Sequence, residues 1–190
     1  ESGTATGNPL VEDFGSRWIT DERSGLELAN NILLSGSCQN AFMKLNQKLV
    51  NAAIEHINRR WPDAEQAVAA ALYLEDGQIL TSISLDNFNA AANLCAETGA
   101  ICQAYNMDRR VTASVCVSKA AGEDQVTILA PCGLCQERLA LWGPDVQVAV
   151  SDPGSAGGWA ARTLIEVNPY YWATEFTDDG AWPTTADHNG

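Results

Sequence analysis

Apolar positions recur along this chain with two different periods, and the changes between them mark out its elements. Over 39–61, Phe42, Leu45, Leu49, Ala52, Ala53 and Ile57 fall three or four residues apart, which places them on one face of a helix that Pro62 ends. Two runs rich in Val, Ile, Leu and Ala follow at 67–74 and 78–85, with Glu75-Asp76-Gly77 between them as turn chemistry, and predict a β-hairpin. Helix formers dominate 90–105, β-branched residues fill 111–118, and 125–129 is a second short strand candidate. The pattern then predicts a helix over 132–142, a strand over 146–150 and a helix over 163–167 stopped near Pro169. This order implies a mixed sheet with helices packed on it, an α/β fold. Ahead of it, 1–37 mix Gly, Thr, Pro and charged residues around a short periodic stretch at 26–34, an extension of unknown role with one helix. With 177–190 read as a loose tail and no internal repeat, a single domain over 38–176 remains.

Composition narrows the function classes. The 190 residues, 46% of them hydrophobic, suffice for one substantial core. The formal charge of -13 argues against a nucleic-acid partner, because such binding draws on Lys and Arg neutralising phosphates, and favours a small uncharged ligand. No apolar run approaches the roughly 20 residues that cross a bilayer, and no basic-then-apolar order marks a signal peptide. The chain reads as soluble and cytoplasmic, although an opening on Glu1 leaves room for a targeting segment ahead of it. Six cysteines stand at 38, 95, 102, 116, 132 and 135. A chain of this size does not need disulfide staples, and the Cys132-Gly133-Leu134-Cys135 pair reads as metal ligation or redox chemistry.

Two segments carry the candidate chemistry: Cys95-Ala96-Glu97, near the start of one expected helix, and Pro131-Cys132-Gly133-Leu134-Cys135, opening another. Residues three apart share a helix face, so Cys132 and Cys135 can reach one ion, and the positive end of a helix favours the thiolates zinc needs. Cys102 lies seven residues beyond Cys95, about 10 Å along a helix, whereas sulfurs sharing a zinc ion stand within about 4 Å. Cys116, between Val115 and Val117, reads as a small core residue, and His56 and His188 have no companion ligand nearby. Three ligands, Cys95, Cys132 and Cys135, leave one coordination position for water, with Glu97 in reach to move a proton. A closed structural zinc site and a reduced CxxC pair without metal are the plainer readings of the same cysteines. The joint order, a ligand, one residue and Glu, followed by PCxxC, matches the arrangement of zinc-dependent deaminases.

On these residues the chain resembles the cytidine deaminase family, including blasticidin S deaminase-like members. The likeness runs from about Gln39 to Trp172; it includes 61–72, similar to the family's run-up into its first strand, and Thr163 to Pro169, similar to its last helix. The resemblance implies a three-layer α/β/α fold around a mixed five-stranded sheet and, for members with three cysteine ligands, a homotetramer. It also implies one zinc ion on Cys95, Cys132 and Cys135 and a proton shuttle at Glu97. Cytosine-type nucleosides would be converted to the uracil form with release of ammonia, as in pyrimidine salvage. Ala96, Gln66, Ser84 and Asp86 would contact substrate. At the last three positions, members that act on cytidine resemble one another in carrying Phe and an Asn-x-Glu segment, so the substitutions point to a modified or differently decorated nucleoside. Many all-cysteine members place Arg directly after the catalytic Glu; Thr98 stands there, and Arg138, one helical turn after Cys135, is the candidate for the missing positive charge. Deamination of a base within nucleic acid, and a non-enzymatic zinc module, are the competing functions.

Overall fold

The segment between Ala67 and Ile83 folds as the hairpin its pattern predicts, with β1 (Ala67–Leu74) antiparallel to β2 (Ile79–Ile83) and Leu72 facing Leu80. Gly77, at φ +84°, supplies the left-handed turn residue that L side chains avoid. The computed structural model describes residues 43–62, 66–120 and 126–183. The helix expected at 26–34, the first four residues of the one expected at 39–61 and the end of the tail lie outside these.

Among the described residues the sheet has six strands, one more than expected. Beside β1 runs β3 (Val111–Lys119), antiparallel, with Ala70 opposite Cys116. The far edge of β3 is shared: β4 (Val126–Leu129) pairs antiparallel with its C-terminal half, and β5 (Gln147–Ser151) pairs parallel with Ala113 and Ser114. The additional strand is β6 (Trp159–Thr163), antiparallel to β5 at the sheet edge. Strand order is β2-β1-β3-β5-β6.

Alternation along the strands feeds two cores. Ala69, Ala71 and Tyr73 of β1 face α1 (Gln47–Arg60), whose Leu49, Val50, Ala53 and Ile57 are buried against them. Leu72 and Leu74 point to the other face, where they meet Ala100, Ile101 and Ala104 of α2 (Glu97–Asn106) and Leu139 of α3 (Gly133–Leu139). Helices on both faces of a mixed sheet make the three-layer α/β/α sandwich. The first helix begins at Gln47 because Asn46 caps it, its side chain accepting the Leu49 N–H at 3.3 Å. The expected helix over 90–105 is shorter too: Ala90–Ala92 form only a 3₁₀ turn, and Leu85 pairs with Leu94 before α2 starts. The last helix, α4 (Leu164–Val167), is a single turn closed by a capping box between Thr163 and Glu166. Trp182, in the stretch expected to be loose, stacks on Tyr171 at 4.3 Å and packs against the core.

Candidate active site

The loop before α2 and the start of α3 converge on the same side of the sheet, bringing Cys95 to Cys132 across 37 residues of sequence with their sulfurs 3.3 Å apart. Cys135 completes the set, and all three sulfurs lie within 4.8 Å of one another. Zinc–sulfur bonds near 2.3 Å at tetrahedral angles would place sulfurs about 3.8 Å apart, so the three thiols need only small adjustments to share one zinc ion. Three soft sulfur donors also suit zinc better than a hard cation such as magnesium. Cys102, exposed on α2, and Cys116 stand outside this group.

Local chemistry prepares the thiols unequally. Burial acts to raise the Cys132 thiol, but the Cys135 and Leu134 backbone N–H groups at the start of α3, with hydrogen bonds from the other two cysteines, hold it below its ordinary value. Burial first, then the Glu97 carboxylate and the neighbouring thiols, push Cys135 well above the usual thiol range. Cys95 is raised by its hydrogen bond to Cys132 and by burial. Three thiolates this close repel one another, and a bound dication would supply the charge that lets them ionise together.

Glu97 is the first residue of α2 and only 3% exposed. Its carboxylate raises the thiols of Cys135 and Cys116, both buried, so it lies beside the buried edge of the three-sulfur group. Cys116 is indeed buried, in a small cluster with Ala70 and Ala96, and the Glu97 carboxylate acts on its thiol. Its position on β3 gave no sign of that in the sequence, because contact with Glu97 depends on how α2 lies across the sheet.

The remaining expected residues separate into two groups. Ala96 is buried between Cys95 and Glu97. Ser84 follows β2, its backbone N–H donating to the Val68 carbonyl at 3.1 Å, and its hydroxyl faces the Asp86 carboxylate at 3.4 Å. Val68 packs against the Ala70–Ala96–Cys116 cluster, so this end of the hairpin borders the site, while Gln66 and Asp86 are exposed. Arg138 is not a free surface side chain: half-buried, it donates from Nη1 to the Thr98 hydroxyl at 2.9 Å. The residue after Glu97 on α2 is thereby tied to the helix that bears Cys135. Thr98 itself is buried, a role the sequence alone did not mark.

Comparison with known proteins agrees with this geometry. Residues 43–150 match the model of the cytidine and deoxycytidylate deaminase zinc-binding region. The chain is 25% identical over 123 residues to a blasticidin-S deaminase of Bacillus cereus, covering 63% of this chain and 85% of that protein. It is 28% identical over 135 residues to a cytidine deaminase of Halalkalibacterium halodurans, covering 70% and 98%. Among solved structures, the cytidine deaminase from Bacillus anthracis superposes with a TM-score of 0.65 at 38% identity, covering 70% of this chain and 94% of that one. The fold, the convergent cysteines and these matches together establish that the chain belongs to the cytidine and deoxycytidylate deaminase zinc-binding family, hydrolases that act on C–N bonds.

Proposed function

We propose that this chain is a zinc-dependent deaminase of a cytosine-type nucleoside, with Cys95, Cys132 and Cys135 as the zinc ligands and Glu97 as the proton carrier. The observation that supports it best is the buried Glu97 carboxylate beside three thiols gathered from two distant segments within 4.8 Å. Zinc, when bound, supplies a Lewis acid that brings the pKa of a water down towards 7. Glu97 does the proton work: it takes a proton from water and hands it to ring N3 of the base, while the hydroxide oxygen so released adds to C4. Glu97 then carries the remaining proton of that C4 hydroxyl to the exocyclic nitrogen, the C4–N bond breaks with its electron pair leaving on nitrogen, and ammonia and the C4 carbonyl of the uracil-type product result. Burial shields this carboxylate from bulk water, so the proton is carried within the site instead of lost to solvent.

Ala96, enclosed between a ligand and the carboxylate, is proposed to meet the base, and Gln66, Ser84 and Asp86 the sugar side. The Ser84–Asp86 contact and the exposed Gln66 amide present a polar rim, and sites that hydrogen-bond a substrate reject analogues whose groups are misplaced. A nucleoside with a modified or differently decorated frame is therefore the preferred substrate. Arg138, docked on Thr98, supplies positive charge near three thiolates on a dication. A cytoplasmic homotetramer is proposed as the working form. Leu85, Leu94, Leu129 and Leu134, all exposed and close in sequence to the site residues, would be covered in such an assembly.

Ammonia release by zinc-loaded protein, measured across cytidine, deoxycytidine, cytosine, the monophosphates and cytosine-containing antibiotics, tests this reading. Fastest turnover is expected on a modified nucleoside. Equal or better turnover of plain cytidine contradicts the substrate assignment, and no ammonia from any compound contradicts the deaminase assignment.

A further inference from the structure

The opening turn of α2 contains a side chain from another element. Ala96 has helical backbone angles, φ −57° and ψ −34°, so its carbonyl stands where it would accept the N–H of Ala100, four residues on. Instead the Ser82 hydroxyl of β2 occupies that link: it donates to the Ala96 carbonyl at 2.5 Å and accepts from the Ala100 N–H at 3.0 Å. A side chain inserted into the helical ladder alters the course of the helix at that point. The insertion requires close approach of strand and helix, and Gly99 provides it. A Cβ at position 99 would stand 3.0 Å from the Ser82 Cβ, closer than most packed carbons, so strand and helix would have to part by a few tenths of an ångström.

The residues inside this bridged turn are those of the proposed chemistry. Ala96 lies between Cys95 and Glu97, and Glu97 lies between the two backbone groups that the Ser82 hydroxyl bridges. We propose that Ser82, admitted by Gly99, is a positioning residue that sets the opening turn of α2 and with it the place of Glu97 relative to the three thiols. The inference rests on the deaminase reading above, and it assigns Ser82 no contact with substrate. Without the hydroxyl, the Ala96 carbonyl and Ala100 N–H are free to bond to each other. The turn then tightens and carries Glu97 with it, while the fold stays satisfied.

The test uses full-length protein loaded with zinc for kinetics and with cobalt(II) for visible spectra. Ser82→Ala is compared with Thr81→Ala, its neighbour on β2, whose hydroxyl faces His56 at 3.3 Å on the opposite face of the sheet. Ser82→Ala is expected to melt like the Thr81→Ala control, to lose about 10- to 100-fold in kcat with KM within about threefold, and to shift the cobalt bands. Gly99→Ala should lose both melting temperature and rate. The double variant Ser82→Gly/Gly99→Ala should recover the melting temperature but not kcat, because the clash is gone and the hydroxyl is still missing. A kcat within about twofold of wild type in Ser82→Ala, or an equal loss in Thr81→Ala, overturns the proposal. If wild type releases no ammonia from any nucleoside, the deaminase reading fails instead, and the cobalt spectrum alone decides: bands unchanged in Ser82→Ala overturn the positioning role.

Discussion

Removing zinc should loosen the protein by an amount that the placement of its ligands sets. Cys95 and Cys132 are separated by 37 residues, and an ion joining them closes that loop. By the chain-entropy relation, a cross-link over a loop of this length is worth about 4 kcal/mol. Mass action gives a similar figure, about 4 kcal/mol when free zinc is near 1,000 times its dissociation constant. A domain of this size moves roughly 2–4 °C in melting temperature per kcal/mol, so chelation should lower the transition by roughly 8–16 °C. The assay is thermal unfolding of zinc-loaded protein with and without chelator, followed by zinc restoration. Cys95→Ser and Cys135→Ser should melt low and no longer respond to chelator. Cys116→Ser, outside the three-sulfur group, should keep the full chelator-dependent shift. A zinc-loaded wild type whose melting temperature ignores chelator, or equal behaviour of Cys116→Ser and Cys95→Ser, refutes the reasoning.

Two further predictions concern charge. Arg138→Gln removes a half-buried cation and its bond to Thr98, and should weaken zinc binding by about tenfold; an unchanged zinc titration and pH–rate profile would remove Arg138 from the site. In the capping box of α4, the Thr163 backbone N–H first, then its hydroxyl, holds the Glu166 carboxyl below the ordinary carboxylate range. A lowered folded value means the stabilisation is whole above the unfolded pKa and is lost as pH falls through the folded one. Glu166→Gln should therefore melt below wild type at neutral pH, with the gap closing below about pH 4; a gap that persists undiminished to about pH 3 would contradict the assignment.

The parts of the fold legible in the sequence were those fixed by local pattern. The β1–β2 hairpin announced itself through two apolar runs around a turn glycine. Cys102 stands outside the three-sulfur group as expected, although Cys95 precedes α2 instead of lying on it, so helical rise is not what separates the two. Element ends were less legible because they depend on capping. Asn46, a good N-cap, was a readable signal for the start of α1, whereas the side chains of Asn89 and Asn93 build the loop ahead of α2. Asn89 accepts the Ala91 N–H at 3.1 Å and Asn93 accepts the Asn87 N–H at 2.7 Å. These bonds hold 87–93 out of the helix that Ala90–Ala92 would otherwise extend. Strand β6 escaped notice because Trp-Ala-Ala-Arg-Thr has neither clear alternation nor a buried run, and it depends on pairing with β5. At the site, spacing singled out the three cysteines that the fold gathers and the buried Glu97 two residues after the first of them. The Arg138–Thr98 link, the contact of Cys116 with Glu97 and the Ser82 bridge could not, since each joins elements whose packing no local pattern encodes.

The central claim is that Glu97 moves the proton while the cysteines alone hold the metal, and Glu97→Gln tests it when zinc content and ammonia release are measured on the same preparation. The variant should keep one zinc per chain and lose about 10²- to 10⁴-fold in kcat on the best substrate. Loss of the zinc along with the rate, or retention of more than about a tenth of wild-type turnover, would contradict the account.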